Sequence, residues 1–121
     1  MPSYMLLLYD NPANWAKISP EDMQKAIEKF MAWGGKLRNQ GVIVASAKLA
    51  DDAGRVLRGR DQVRVTDGPY SETKEVLGGY YLIKAANYNE AVELAQGCPG
   101  LHYGGTIEVR QVDPMSEAQA A

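Results

Sequence analysis

The sequence is poor in the residues that most often build metal centres and disulfide frameworks. Its 121 residues include one cysteine, Cys98, and one histidine, His102. A single cysteine cannot form an internal disulfide, and the two residues together leave too few ligands for a zinc site of cysteine and histidine. We therefore expect no metal and no cofactor. Cys98 follows a predicted helix end, where the dipole disfavours a thiolate, and we interpret it as a buried apolar residue.

Long apolar runs and an excess of positive charge are also missing. The apolar run Tyr4–Tyr9 stops at Asp10, far short of a signal-peptide core or a membrane span. The formal net charge is −2, without the basic stripe that nucleic-acid binding needs. One group of arginines is better explained as the charge-protected edge of a hairpin: Arg55, Arg58, Arg60 and Arg64. We expect a cytoplasmic protein that binds neither nucleic acid nor membrane.

The composition that remains is that of an ordinary globular domain. Apolar residues make up 45% of the chain and charged residues 23%. The length supports one domain, which we place at residues 1–115, followed by a small, polar, frayed tail at residues 116–121. A chain of this size buries roughly two-thirds of its unfolded surface, which is enough for a hydrophobic core that needs no disulfide or metal to stabilise it.

Two segments carry the start and stop signals of helices. Ser19–Asp22 offers a hydroxyl at the N-cap, a proline at the first helical position and acids in the first turn. A helix should run from Pro20 to Gln40, and Gly41 is placed to end it. The segment Asn87–Glu90 resembles a capping box and begins a second helix, which Gly97 ends.

A glycine pair lies inside the first of these helices. Gly34 and Gly35 should each cost about 0.5–1 kcal/mol relative to alanine in a helix interior. Either the helix tolerates a weak turn here, or another backbone, such as that of a partner subunit, approaches closely.

Six segments have the composition of strands, and two of them are apolar on both faces. The six segments are Tyr4–Tyr9, Val42–Ala47, Arg55–Arg58, Gln62–Thr66, Tyr80–Ala85 and Thr106–Val112. The order of strands and helices fits an α+β domain of the ferredoxin-like type, with two helices on one face of an antiparallel sheet. Because Tyr4–Tyr9 and Tyr80–Ala85 leave apolar side chains on the other face, we predict a homodimer whose sheets pack face to face.

The candidates for chemistry begin with an acid at a strand end. Asp67 precedes a Gly-Pro turn, where its carboxylate either acts as a general base or bonds the backbone of its own turn. Nearby, Glu72 and Glu75 share a face if residues 71–76 form a helical turn, and their repulsion would raise one pKa. Alternatively these two acids, with Lys74 between them, are solvated surface charges.

Further candidates lie in the last quarter of the chain. His102 stands in a glycine-rich loop, where it is either a proton shuttle or an exposed or backbone-bonded side chain. Glu108 and Arg110 face the same side of the last strand, where they pair with each other, pair across a dimer or bind an anionic ligand. The tyrosines of these strands and this loop either line an apolar pocket or belong to the core or an interface: Tyr80, Tyr81 and Tyr103.

The segment Asp67–Glu75 resembles the signature of the DGPF-domain proteins, a branch of the YCII-related family. It reads Asp-Gly-Pro-Tyr-Ser-Glu-Thr-Lys-Glu, where the typical pattern is Asp-Gly-Pro-Phe-Ala-Glu-Thr-Lys-Glu, and Leu77–Tyr80 supplies the Leu-Gly-Gly-Tyr that follows. Agreement extends along nearly the whole chain, at Tyr4–Leu7, Ser19–Glu21, Cys98–Pro99 and Glu108–Arg110.

This resemblance implies a ferredoxin-like domain that forms a dimeric α+β barrel. Some relatives are thought to be enzymes that act on small cyclic or aromatic molecules, including a dehydrochlorinase-like member. Others accompany extracytoplasmic-function sigma factors. The first helix here contains no histidine, so the His–Asp pair proposed for the wider family does not carry over.

We therefore expect a small molecule to bind in a cleft near Asp67. The leading hypothesis is a cofactor-free lyase-like enzyme. The alternatives are a non-catalytic ligand-binding or regulatory accessory protein linked to a sigma factor, and a scaffold in which the motif only builds a turn. The predicted catalytic residues are Asp67 and His102. The predicted substrate-binding residues are Tyr70, Glu72, Lys74, Glu75, Tyr81 and Arg110.

Overall fold

The computed structural model describes residues 1–68 and 75–120, with only the backbone at 118–120. The strands are β1 (Ser3–Asp10), β2 (Ile43–Lys48), β3 (Arg55–Arg58), β4 (Arg64–Asp67), β5 (Val76–Lys84) and β6 (Thr106–Gln111). The α-helices are α1 (Pro20–Asn39), α2 (Tyr88–Gln96) and α3 (Pro114–Ala120), and 3-10 turns occupy Pro12–Asn14 and Pro99–Tyr103. Over the described ranges, no helix combines the length and the apolar character needed to cross a membrane.

The six strands form two antiparallel sheets. The larger has the order β2-β5-β1-β6, and β3 pairs with β4 in a separate hairpin. Each of the two strand–helix–strand units, β1-α1-β2 and β5-α2-β6, is split by a strand of the other unit. The predicted α+β class is confirmed, and this order is consistent with the ferredoxin-like fold. The dimeric barrel remains a prediction.

The core lies between the larger sheet and the helices. Tyr4 and Leu6 of β1 point into it beside Ile83 of β5, and all three are buried. Ala91 and Ala95, one turn apart on α2, are also buried there, and their small side chains let the helix lie close to the sheet. Burying a side chain such as Leu6 or Ile83 contributes about 1.5–3 kcal/mol.

The face of the larger sheet away from α1 and α2 is called here the far face. Met5 and Leu7 point to it because side chains alternate along a strand. Met5 stands opposite Leu82 on β5, and Leu7 stands opposite Tyr80. These four side chains are half-buried. On the other side of β1, Arg110 and Glu108 of β6 occupy the matching register positions, opposite Met5 and Leu7.

The helix ends follow the predicted capping. Ser19 Oγ accepts a hydrogen bond from the Asp22 amide at 3.1 Å. Gly41 adopts φ +74° just beyond α1, a conformation that favours glycine. At α2, Asn87 Oδ1 accepts from the Glu90 amide at 2.9 Å, and Glu90 Oε1 accepts from the Ala86 amide at 3.2 Å.

Two elements differ from the sequence prediction. β5 begins at Val76, so the Gly78–Gly79 pair lies within the strand, and the β-carbon of an alanine at Gly79 would lie 2.8 Å from the Ala47 carbonyl oxygen. The predicted helical turn at 71–76 otherwise falls outside the described residues. The expected frayed tail is helical from Pro114 to Ala120, because Asp113 Oδ1 accepts from the Met115 amide at 2.9 Å and caps the helix.

Candidate functional site

A polar cluster lies on the far face, where β1 and β6 run side by side. The hydroxyl of Tyr9 donates to Glu108 Oε1 at 3.3 Å. Arg110 Nη1 lies 3.8 Å from Glu108 Oε2. Glu108 and Arg110 share this face because they are two residues apart on one strand, and Tyr9 joins them through the pairing of β1 with β6. The cluster sets a phenol, a carboxylate and a guanidinium beside Leu7.

The charges of this cluster are accessible to a ligand. A phenol is protonated at neutral pH and can donate. Burial, with help from the Glu108 carboxylate, raises the pKa of the Tyr9 phenol further above its ordinary value. The side chains of Glu108 and Arg110 are 44% and 66% exposed. Their ion pair contributes at most about 1 kcal/mol at such exposure. An incoming anion can therefore compete with Glu108 for the guanidinium.

The end of the Asp67–Glu75 motif lies at the same end of the sheet. Thr106 Oγ1 donates to Glu75 Oε1 at 2.7 Å. Thr106 stands opposite Tyr9 in the pairing of β1 with β6. The predicted ligand-binding residue Glu75 is therefore next to the strand pair that carries the polar cluster.

A half-buried acid, Asp10, follows Tyr9 directly. Its carboxylate accepts hydrogen bonds from Trp15 Nε1 and from Asn14 Nδ2, the latter at 3.4 Å. Burial raises the pKa of Asp10, and the negative charges of Asp51 and Glu75 add to the rise. The sequence prediction treated Asp10 only as the end of a strand, because its contacts depend on how the following turn folds back.

Asp67 is placed on the hairpin formed by β3 and β4. Its side chain is 84% exposed, and its carboxylate lies 3.6 Å from Arg55 Nη1 on the paired strand. The amide of Gly68 donates to the Gly54 carbonyl at 3.3 Å and closes the base of the hairpin. The predicted companions of Asp67 in the motif, Tyr70, Glu72 and Lys74, lie outside the described residues.

His102 and Arg110 lie on opposite sides of the sheet. His102 is exposed on the 3-10 turn Pro99–Tyr103, which packs against α1 in the helical layer. Arg110 projects from the far face. Tyr81 points into the helical layer, where its ring meets Trp33 edge-on with 4.9 Å between centroids. Burial raises the pKa of Tyr81, as expected for a side chain packed against the core.

Within residues 1–68 and 75–120, no three or more side chains of His, Cys, Asp and Glu are grouped as metal ligands.

Tyr9, which completes the cluster of Glu108 and Arg110, was missed by sequence reasoning. Its only sequence signal was its position in β1, and the partner strand lies about a hundred residues away.

The fold and the cluster define an α+β domain that carries a polar site on one face of a four-stranded antiparallel sheet. The chain belongs to the family of the YCII-related domain, whose profile matches residues 3–116. It is similar to the uncharacterized protein R00369 of Rhizobium meliloti, with 32% identity over 117 residues, 88% of this chain and 89% of that protein.

The chain trace is also similar to that of a solved enzyme structure. That structure is 5-chloro-2-hydroxyhydroquinone dehydrochlorinase from Burkholderia phenoliruptrix in complex with 2,5-dihydroxybenzoquinone. The match covers 92% of this chain and 93% of that chain, with a TM-score of 0.47 and 14% sequence identity.

Proposed function

We propose that this YCII-family protein binds a small, partly apolar anion at the cluster of Tyr9, Glu108 and Arg110. The observation that carries the proposal is an accessible guanidinium beside a protonated phenol and half-buried apolar side chains. The guanidinium supplies two parallel N–H donors for a carboxylate or an enolate. Leu7 and Met5 offer apolar contact to the rest of the ligand.

A second copy of the chain would complete this site. The centre of the far face holds Met5, Leu7, Tyr80 and Leu82, and a patch of this kind is self-complementary across a two-fold axis. Packing two far faces together would remove water from the polar cluster, which strengthens the hold of Arg110 on an anion. The apolar centre of the face supports the homodimer proposed from the sequence.

The same residues offer a route to cofactor-free elimination. The Glu108 carboxylate would take a proton from a carbon next to a carbonyl. The electron pair left behind would form the new C=C bond as a leaving group departs with its own electrons, and Arg110 would hold the negative charge that develops on oxygen. Asp67, the base predicted from the sequence, is the second candidate, and its exposed carboxylate lies 3.6 Å from Arg55 Nη1 on the hairpin.

A ligand screen tests the binding site. Small carboxylates and hydroxy acids are added to the 15N-labelled protein, and amide shifts on β1 and β6 are followed. We expect saturable shifts that R110Q weakens about tenfold, since it removes a charge-assisted contact. The matched control is R58Q on the exposed hairpin strand β3, which should leave binding unchanged. Equal binding by the parent and R110Q would refute the site.

Exchange in heavy water separates an enzyme from a binding protein. With a bound carbonyl acid, loss of the proton next to the carbonyl is followed by NMR in the parent, E108Q and D67N. Exchange that disappears in E108Q and persists in D67N assigns the base to Glu108, and the reverse result assigns it to Asp67. Saturable binding with no exchange in the parent indicates a non-catalytic ligand-binding protein.

A further inference from the structure

A groove opens in the helical layer, on the other side of the sheet from the proposed site. It is a solvent-open depression between α1 and the 3-10 turn Pro99–Tyr103, with a volume of about 590 Å³. Its lining combines two aromatic rings, two lysines and a histidine: Trp33, Tyr103, Lys29, Lys36 and His102.

The aromatic walls of the groove are held in place by other aromatic side chains. Tyr81 meets the Trp33 ring edge-on, with 4.9 Å between centroids and an interplanar angle of 87°. Trp15 packs on the Tyr103 ring at 4.9 Å with a tilt of 33°. Both walls are half-buried, so each ring is fixed from behind and still borders the groove. Such preorganised rings suit a flat apolar ligand.

Gly97 keeps the groove open beside Trp33. Its φ of −80° is one that any residue adopts, so the backbone conformation does not require glycine. An added β-carbon would lie 3.0 Å from Trp33 Nε1. Glycine therefore gives the indole room at this position, and the indole edge borders the groove instead of a methyl group.

The charge on the rim of the groove is positive. Lys29 and Lys36 stand about two helical turns apart on one side of α1. Lys29 Nζ lies 5.6 Å from the centre of the Tyr103 ring. The ion pairs formed among the described residues include neither of these lysines. Two exposed ammonium groups beside fixed aromatic rings favour a ligand that is both flat and negatively charged.

We propose that this groove is a second small-molecule site, which takes a planar aromatic molecule carrying an anionic group. The aromatic part lies against Trp33 and Tyr103, and the anionic group is held by Lys29, Lys36 or both. His102 lies on the same rim and adds a donor. The sheet separates this groove from Arg110, so the proposal does not depend on the function proposed for the far face.

Naphthalene-2-carboxylate is the probe that tests this proposal. The indole N–H signal of Trp33 is followed by two-dimensional NMR and is distinguished from that of Trp15 with a W15F variant. We expect a saturable shift of the Trp33 signal. K29Q or K36Q should weaken binding about three- to tenfold, and the uncharged naphthalene-2-methanol should bind about as weakly. K25Q is the matched control, because Lys25 is an exposed lysine of α1 outside the groove lining.

Three results would overturn the proposal. One is a Trp33 signal that does not respond up to about 10 mM probe. Another is an equal loss of affinity in K25Q, K29Q and K36Q, which would mean general attraction to a positive helix. The third is loss of the response in R110Q, which would place the probe on the far face.

Discussion

Gly35 stands in the interior of α1 with room for a larger residue. A β-carbon added there meets no atom of the described residues within 4 Å. Alanine loses less backbone entropy on folding than glycine, so G35A should raise the free energy of unfolding by about 0.5–1 kcal/mol. Urea denaturation measures the change.

The neighbouring glycine provides the control for this prediction. At Gly34 an added β-carbon would lie 3.2 Å from Arg38 Nη1, whose guanidinium donates to Ser46 Oγ at 2.7 Å. G34A should therefore raise the free energy of unfolding by less than G35A does. A loss of stability in G35A would favour the other explanation of the glycine pair, a close approach by a partner's backbone.

Cys98 is fully buried, and burial raises the pKa of its thiol. Since the thiolate is the reactive form, native protein at pH 8 should react with a disulfide reagent roughly a hundredfold more slowly than protein unfolded in urea. The absorbance of the released thiolate gives both rates. Comparable rates in the two states would contradict the burial of Cys98.

At the scale of single elements, the end of β1 should respond to pH through Asp10. Burial raises the pKa of this carboxyl, so the folded chain takes up the proton more readily than the unfolded chain. Ionised Asp10 therefore costs stability at neutral pH, and the cost disappears as pH falls through the folded-state pKa.

A variant without the Asp10 charge should recover the free energy of unfolding that the ionised carboxylate costs. D10N keeps a side-chain oxygen for Trp15 Nε1 and should be more stable than the parent at pH 7 by no more than about 1 kcal/mol. Its advantage should shrink toward pH 3. Thermal unfolding at several pH values follows the difference, and an advantage that grows as pH falls would contradict the assignment.

Element boundaries followed from the sequence where the signal was local. Ser19 and Asn87 cap α1 and α2 as predicted, because a cap involves residues three apart. The start of β5 was missed, since glycines disfavour strands. Gly79 is held in the strand by pairing with Leu8 of β1 and Lys48 of β2, and the Gly78 carbonyl accepts a hydrogen bond from the Leu49 amide at 2.9 Å.

The polar cluster, like the element boundaries, was predictable only where the signal lay within a short segment of the chain. Alternation along one strand placed Glu108 and Arg110 together. Adding Tyr9 to them requires the register of β1 against β6, and the separation of His102 from Arg110 requires knowing which face the helices cover. Both depend on contacts between residues far apart in the sequence, which a local pattern does not encode.

At the scale of the whole molecule, the far face predicts association. A face-to-face dimer should show twice the chain mass of 13.2 kDa in light scattering at about 10 µM. L82E places a like charge from each copy near the two-fold axis and should yield monomers. M31E is the control, because Met31 is exposed on α1. A monomeric mass for the parent chain would rule out the dimer.

The position of β1 in the sheet affects how the chain folds while it is being synthesised. Both neighbours of β1, β5 and β6, are synthesised long after it. Until the ribosome has released Thr106–Gln111, one edge of an apolar strand has no partner, and an open edge of this kind recruits other chains. Nascent or truncated chains that stop before β6 should therefore aggregate, whereas loss of α3 alone leaves every strand of the sheet paired.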